Sequence, residues 1–319
     1  MRSILLAGLT VLALSACGGK DDAEPTTQSD QPAAAPAGNA SAAEVAKEAR
    51  GKLKCPPKLT TAARAAGAPV DDIQGVRPGM SYDEAAQLVM CSHELMVVTE
   101  DKRARFNIPT YGQTLRQGFN AEFAKERVQK TGQEIMQEMQ ARHMARANNA
   151  VVRDIAPGEA KWFVGTLGLP GQERVTDVAR EEWFAEGRQP TVAAVEKALI
   201  DKYGTPIQYR PGGGELRWAF DPYGRPVTEA SPLSQACYAN AYLNSGMSFS
   251  PDCGVIVGAR IVPMRDNPAI AESLTVVVAN QAEGYERITA TEQALLAQEN
   301  ARRAKQAEDA AKNADAPKL

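Results

Sequence analysis

Apolar and polar positions along the chain fall into a few recognisable periods. Tyr82, Ala85, Ala86 and Val89 recur at i, i+3, i+4 and i+7, which predicts a helix over 82–91 with one buried face. Ser81 and Glu84 form a capping-box pattern in front of it, and Met80 is placed to staple against Ala85. Ser41 and Glu44 predict a second helix over 42–53, ended by Cys55-Pro56-Pro57. A third is predicted over 192–203: Thr191 caps it, Val192, Val195, Leu199 and Tyr203 form its stripe, and Gly204 and Pro206 stop it.

Runs rich in β-branched and aromatic residues predict strands at 95–99, 103–108, 113–123, 162–167, 207–210 and 215–220. The last two are joined by Pro211-Gly212-Gly213-Gly214. Residues 255–262 and 274–279 form the clearest hairpin, across 263–268. In 113–123, Leu115, Phe119, Ala121 and Phe123 share one side. Gly168-Leu169-Pro170-Gly171 predicts a turn, while for 175–184 periodicity leaves strand and helix open. Residues 125–148 predict a polar helix with Ile135, Met136 and Met139 on one face and His143 in solvent. Residues 290–313 predict a charged, alanine-rich helix. Its alanines 294, 297, 301 and 304 fit a weak coiled-coil seam, or, better, a solvated and frayed helix, since alanine buries little.

These elements predict an α+β fold: two small helix-plus-antiparallel-sheet units, at 41–150 with a following helix and at 151–285, then a charged helix or tail at 286–319. The helices behind Ser81 and Thr191 align at an offset of 110, as a repeat would.

Composition narrows the function. The chain holds 319 residues, and its 54 alanines inflate the 44% hydrophobic fraction. Without them roughly 27% large apolar residues remain, enough for one or two modest cores. A formal charge of −3 provides no basic face for nucleic acid, so no nucleic-acid partner is expected. Two histidines put most histidine metal sites and triads out of reach.

The N-terminus places the protein. Arg2 and the apolar run 4–14 read as an export signal over 1–16, too short to span a bilayer. It ends in Leu14-Ser15-Ala16-Cys17, followed by Gly18-Gly19, and this resembles the lipobox of bacterial lipoproteins. The resemblance implies cleavage before Cys17, a diacylglycerol on its sulfur and a further acyl chain such as palmitate on its amine. Gly18 in place of aspartate implies an outer-membrane, periplasm-facing destination. Residues 17–40 carry no large apolar side chain and read as a lipidated flexible tether. Four further cysteines, Cys55, Cys91, Cys237 and Cys253, suit an oxidising compartment. Of the three pairings they allow, Cys55–Cys91 and Cys237–Cys253 are favoured, each lying within one half of the chain.

Catalytic patterns are missing. No G-x-S-x-G, H-E-x-x-H, Walker, EF-hand or C-x-x-C motif occurs, so no catalytic residue, metal or cofactor is expected. Asp177, Glu181, Glu182 and Glu186 near Trp183 read as a solvated charged face, and His93 beside Cys91 does not make a dyad. Trp218, Phe220 and Tyr223 cluster at one strand end. They are a candidate interaction surface, although Trp218 and Phe220 read more readily as core.

Gly79-Met80-Ser81 with Glu84-Ala85 resembles the small-protein-A/OmlA family of outer-membrane lipoproteins, as does Val195 to Leu199 leading into Tyr203-Gly204-Thr205-Pro206. The resemblance covers about 71–123 and 190–280 and implies helices paired with a small antiparallel sheet. One such family serves the β-barrel assembly machinery, and a related tandem layout occurs in secreted β-lactamase inhibitor proteins. The expected function is a non-enzymatic envelope lipoprotein that binds another envelope protein or supports the outer membrane. The alternative is a periplasmic enzyme inhibitor or sensor.

Overall fold

The computed structural model describes residues 38–56, 63–147, 155–209, 212–243 and 247–315. The expected signal, Cys17 and most of the tether lie outside them. The described residues form one compact unit. Five helices, α1 (Ala42–Arg50), α2 (Tyr82–Met90), α3 (Gly132–Ala147), α4 (Val192–Tyr203) and α5 (Gln281–Asn313), accompany seven strands. The strands are β1 (Met96–Glu100), β2 (Gly118–Phe123), β3 (Ala160–Leu167), β4 (Arg174–Trp183), β5 (Gly214–Ala219), β6 (Val255–Pro263) and β7 (Ala271–Asn280).

The caps predicted from sequence are present. Ser41 and Glu44 close a full capping box. The Ser81 and Thr191 side chains accept from the backbone N–H of Glu84 and Ala194. The predicted stripes of α2 and α4 are all buried. Residues 175–184 resolve as strand β4, because neighbours on both sides satisfy its backbone.

All seven strands are antiparallel, in the order β1-β2-β3-β4-β7-β6-β5. The sheet is continuous through the expected boundary near residue 150: β3 and β4 follow it in sequence, yet β3 pairs with β2. The larger core fills one face, where Phe119, Trp162, Val164, Val178, Leu216, Trp218 and Val257 meet Ala85, Val89, Val195 and Leu199 of α2 and α4. Among the described residues, the second face is covered toward one end of the strands. There Phe163, Ala179, Ile256 and Val277 pack beneath Val227, Ala239 and the Cys237–Cys253 bridge.

Two predicted strands are corrected. Residues 103–108 form an irregular loop. Their polar groups turn inward: the Gln117 side-chain oxygen accepts from the N–H of Arg105 (2.6 Å) and Phe106 (2.7 Å), leaving no ladder for a strand. Arg105 donates to Asp177 at 2.9 Å and lies 4.0 Å over the Phe163 ring. A bulge in β4 opposite Gly165 and Thr166 puts Asp177 on this face, and Thr176 Oγ donates to it at 2.8 Å. Of the predicted strand 207–210, the described residues 207–209 contribute only a bridge between Gln208 and Arg217. Gly212 and Gly213 bend the chain out of line at φ +96° and +97°. β2 is also shorter than the predicted 113–123, starting at Gly118, whose Cβ would overlap the Val164 carbonyl.

The C-terminal helix starts at Gln281, capped by Asn280, nine residues before the predicted start. Its alanine seam is not what it buries: Thr291, Leu295 and Glu299 face inward, and Ala297, Ala301 and Ala304 face solvent. Gly284 is required where Phe249 lies, since a Cβ there would overlap its ring. Arg302 and Arg303 grip Glu299, at 2.6–2.8 Å, and hold its carboxyl down at about 2, Arg302 contributing most. A lowered carboxyl stabilises the fold above its ordinary value of about 4.5 and loses that contribution as pH falls toward 2. Wild type is therefore expected to melt above Glu299→Gln at pH 6, with the gap closing by pH 2 in thermal denaturation followed by circular dichroism. An equal gap at both pH values would contradict the assignment.

Candidate functional site

The uncovered half of the second sheet face carries the most distinctive side chains. Strand alternation puts Lys161, Glu181, Trp183, Thr275, Arg260, Glu215 and Arg217 on this face. The registers align Glu122, Lys161, Glu181, Thr275, Arg260 and Glu215 in one row across six strands. Charge alternates along much of the row, with Lys161 Nζ 3.2 Å from Glu122 and Arg217 in the neighbouring row 2.9 Å from Glu215. Ser273 and Thr275 are small and form the floor between larger neighbours, both buried.

A loop adds the aromatic rim. The segment between Cys237 and Cys253 places Tyr238 and Tyr242 beside the row, both more than 40% exposed. Arg217 lies 5.3 Å from the Tyr238 ring centre and Arg260 4.6 Å from that of Tyr242. The disulfide, with its Cα atoms 5.5 Å apart, fastens this loop. Trp183 stands at the outer end of β4, across from Ser273, with its backbone N–H donating to Glu159 at 3.0 Å. At the β5 edge a groove lined by Gln208, Tyr209, Arg217, Glu229 and Gln235 continues the surface. Tyr, Trp and Arg are the side chains enriched at protein-binding surfaces, whereas the Glu and Lys between them are not.

Other polar clusters are internal fastenings. Asp72 accepts from Arg64, from Lys202 Nζ (3.0 Å) and from Gly75 N–H (2.7 Å), while Tyr203 Oη donates to its carbonyl at 2.8 Å. Burial, and then the Arg64 charge, push Lys202 down to about 8, and burial pushes Tyr203 up. Such a lysine suits base or Schiff-base chemistry when aimed at a cavity. Here it ties α4 to the 64–75 segment. The cleft beyond, lined by Pro69, Asp71, Asp221, Tyr223 and Gly254, has both carboxylates occupied: Arg64 holds Asp71 at 2.7 Å and Arg225 holds Asp221 at 2.6 Å. Among the described residues no group of three or more His, Cys, Asp or Glu side chains is arranged to hold a metal ion.

The site residues read from sequence separate in space. Cys55–Cys91 and Cys237–Cys253 are bonded as paired there, with Cα distances of 5.4 and 5.5 Å. Trp218, Phe220 and Tyr223 do not form one surface. Trp218 is in the core, its indole N–H donating to Gly204 at 2.7 Å, and Phe220 packs against the same cluster. Tyr223 stands in solvent on a turn, 84% exposed, because Asp221 accepts from the backbone N–H of Tyr223 and Arg225 and folds the chain outward. The acidic cluster is also dispersed: Asp177 is buried on Arg105, while Glu181 and Glu182 point to opposite faces. His93 stacks on Phe123 at 4.2 Å and accepts from Leu95 N–H. Sequence reasoning missed Arg217, Arg260, Tyr238, Tyr242 and Trp183 as a set. Arg217, Arg260 and Trp183 share only strand parity, which needs the cross-strand register, and Tyr238 and Tyr242 come from the loop that the Cys237–Cys253 bridge fastens. No family model, curated protein or solved structure matches the chain.

Proposed function

We propose that this is a lipid-anchored envelope protein that binds another protein through the open half of its sheet, without enzymatic activity. The observation that carries the reading is the row from Glu122 to Glu215, with Trp183, Tyr238 and Tyr242 around it. Anchorage rests on the lipobox ending at Cys17, and an outer-membrane, periplasm-facing location rests on Gly18. The bonded cysteines suit that compartment. The occupied carboxylates of the cleft supply no free acid–base pair, which supports a binding role.

A photo-crosslinking residue at Tyr242 is expected to trap one reproducible neighbour in intact cells, and one at Glu84 on the helical face is not. Trp183→Ala combined with Arg260→Ala is expected to weaken the purified complex about 30-fold or more, the loss typical of a central anchor pair. No adduct at Tyr242, or unchanged affinity of the double variant, would sink the proposal.

The layout also supports a second reading, an inhibitor or sensor built from two helix-plus-sheet units. α2 and α4 both start at hydroxyl caps and pack on one face, beside the meanders β1–β4 and β5–β7. Inhibition of a periplasmic hydrolase, lysozyme or β-lactamase at micromolar protein would select this reading; no inhibition in that panel would discard it.

A further inference from the structure

Helix α3 leaves the body where the N-terminal segment enters it. Ala40 exchanges two backbone hydrogen bonds with Arg127, at 2.9 and 2.8 Å, and Asn39 Oδ1 accepts from Gln129 N–H at 2.9 Å. Two residues later Thr131 caps α3, its hydroxyl accepting from Glu134 N–H while the Glu134 carboxylate accepts from Thr131. The 16 residues of α3 make a rod about 24 Å long. Every described side chain on it except Ala145 is exposed.

Ile135, Met136 and Met139 are 47%, 62% and 55% exposed. At 100° per residue they share an arc of about 100° with His143, and Arg142 borders it. Glu134 lies toward the far side, and Glu138, about 40° beyond Arg142, is paired with Lys130 at 2.6 Å. The apolar arc thus has Arg142 at its border, and the carboxylate nearest to it is held by Lys130. Twenty-one residues separate Cys17 from Asn39. A flexible chain of that length would have an r.m.s. span of roughly 23–27 Å, comparable with α3 itself. Tethering raises the local concentration of lipid surface, so contacts too weak to bind from solution hold.

We propose that α3 lies on the bilayer that holds the acylated Cys17, with Ile135, Met136 and Met139 seated at the headgroup–acyl boundary and Arg142 against lipid phosphates. This rests on the anchoring reading above. The methionines report on it directly, since peroxide converts exposed thioethers to sulfoxides. The acylated full chain is reconstituted in vesicles of phosphatidylethanolamine and phosphatidylglycerol and compared with unacylated Cys17→Ser beside the same vesicles. Met136 and Met139 are expected to oxidise about fivefold slower in the acylated chain, read by mass spectrometry. Met144, about 130° round the helix and 53% exposed, is expected to change less than about twofold. Equal rates at all three methionines in both samples would overturn the docking, as would protection that appears only in whole envelopes and not on pure lipid. Intact mass reads acylation separately. An unmodified Cys17 would overturn the anchoring reading and this one with it, whereas an acylated chain with unprotected methionines would overturn the docking alone.

Discussion

Replacing Asp177 by alanine is expected to lower the unfolding free energy by about 3–5 kcal/mol, the range for breaking a buried ion pair from one side. Asp177 is 2% exposed and the Arg105 side chain 13%, so the variant leaves a mostly covered guanidinium without its carboxylate. The loss reaches beyond the pair. Arg105 is the contact that draws the 101–117 loop onto Phe163, while Gln117 holds its backbone from the side. Urea unfolding monitored by tryptophan fluorescence measures the change. The double replacement Arg105→Met with Asp177→Val removes both charges and is expected to recover most of the loss, since an apolar pair of similar bulk carries no desolvation cost. A single-variant loss under about 1 kcal/mol would show that water reaches the pair and that it contributes little.

Loss of the Cys237–Cys253 bridge is the second large effect. Its cysteines are 16 residues apart, and closing a loop of that size is worth about 3 kcal/mol in the chain-entropy account. The joint replacement Cys237→Ser and Cys253→Ser is therefore expected to cost about 2–4 kcal/mol in the same assay. It has a functional signature as well. The bridge holds Tyr238 and Tyr242 over Arg217 and Arg260, so the adduct from position 242 is expected to fall with it. Non-reducing peptide mapping that found Cys55 joined to Cys237 would refute both the pairing and the account of the face.

The elements that sequence alone determines are those whose forces act within a few residues. Ser41, Ser81 and Thr191 each satisfy a backbone N–H three positions on, so the caps and the helices behind them are legible without a partner. The β6–β7 hairpin is legible because its halves adjoin in sequence and share a pattern. Stripe residues such as Val89 and Leu199 announce a buried face by period alone. The even set of cysteines, each pair within one half, points to the two bridges the structure contains.

Tertiary structure decides what depends on residues far apart in the chain. The pairing of β4 with β7 joins 177–183 to 273–279 and makes one sheet of the two expected units, and no local signal selects it. The same holds for burial of charge: Asp177 reads as a solvated carboxylate until Arg105 arrives from 72 residues away, and Glu299 as a surface residue of a polar helix until α5 packs along that side. The open row from Glu122 to Glu215 exists only through registers that align six strands. A shift of one residue in any of them would turn its charges into the helical core, so hydrophobic burial on the other face, acting over the whole sheet, is what sets the surface.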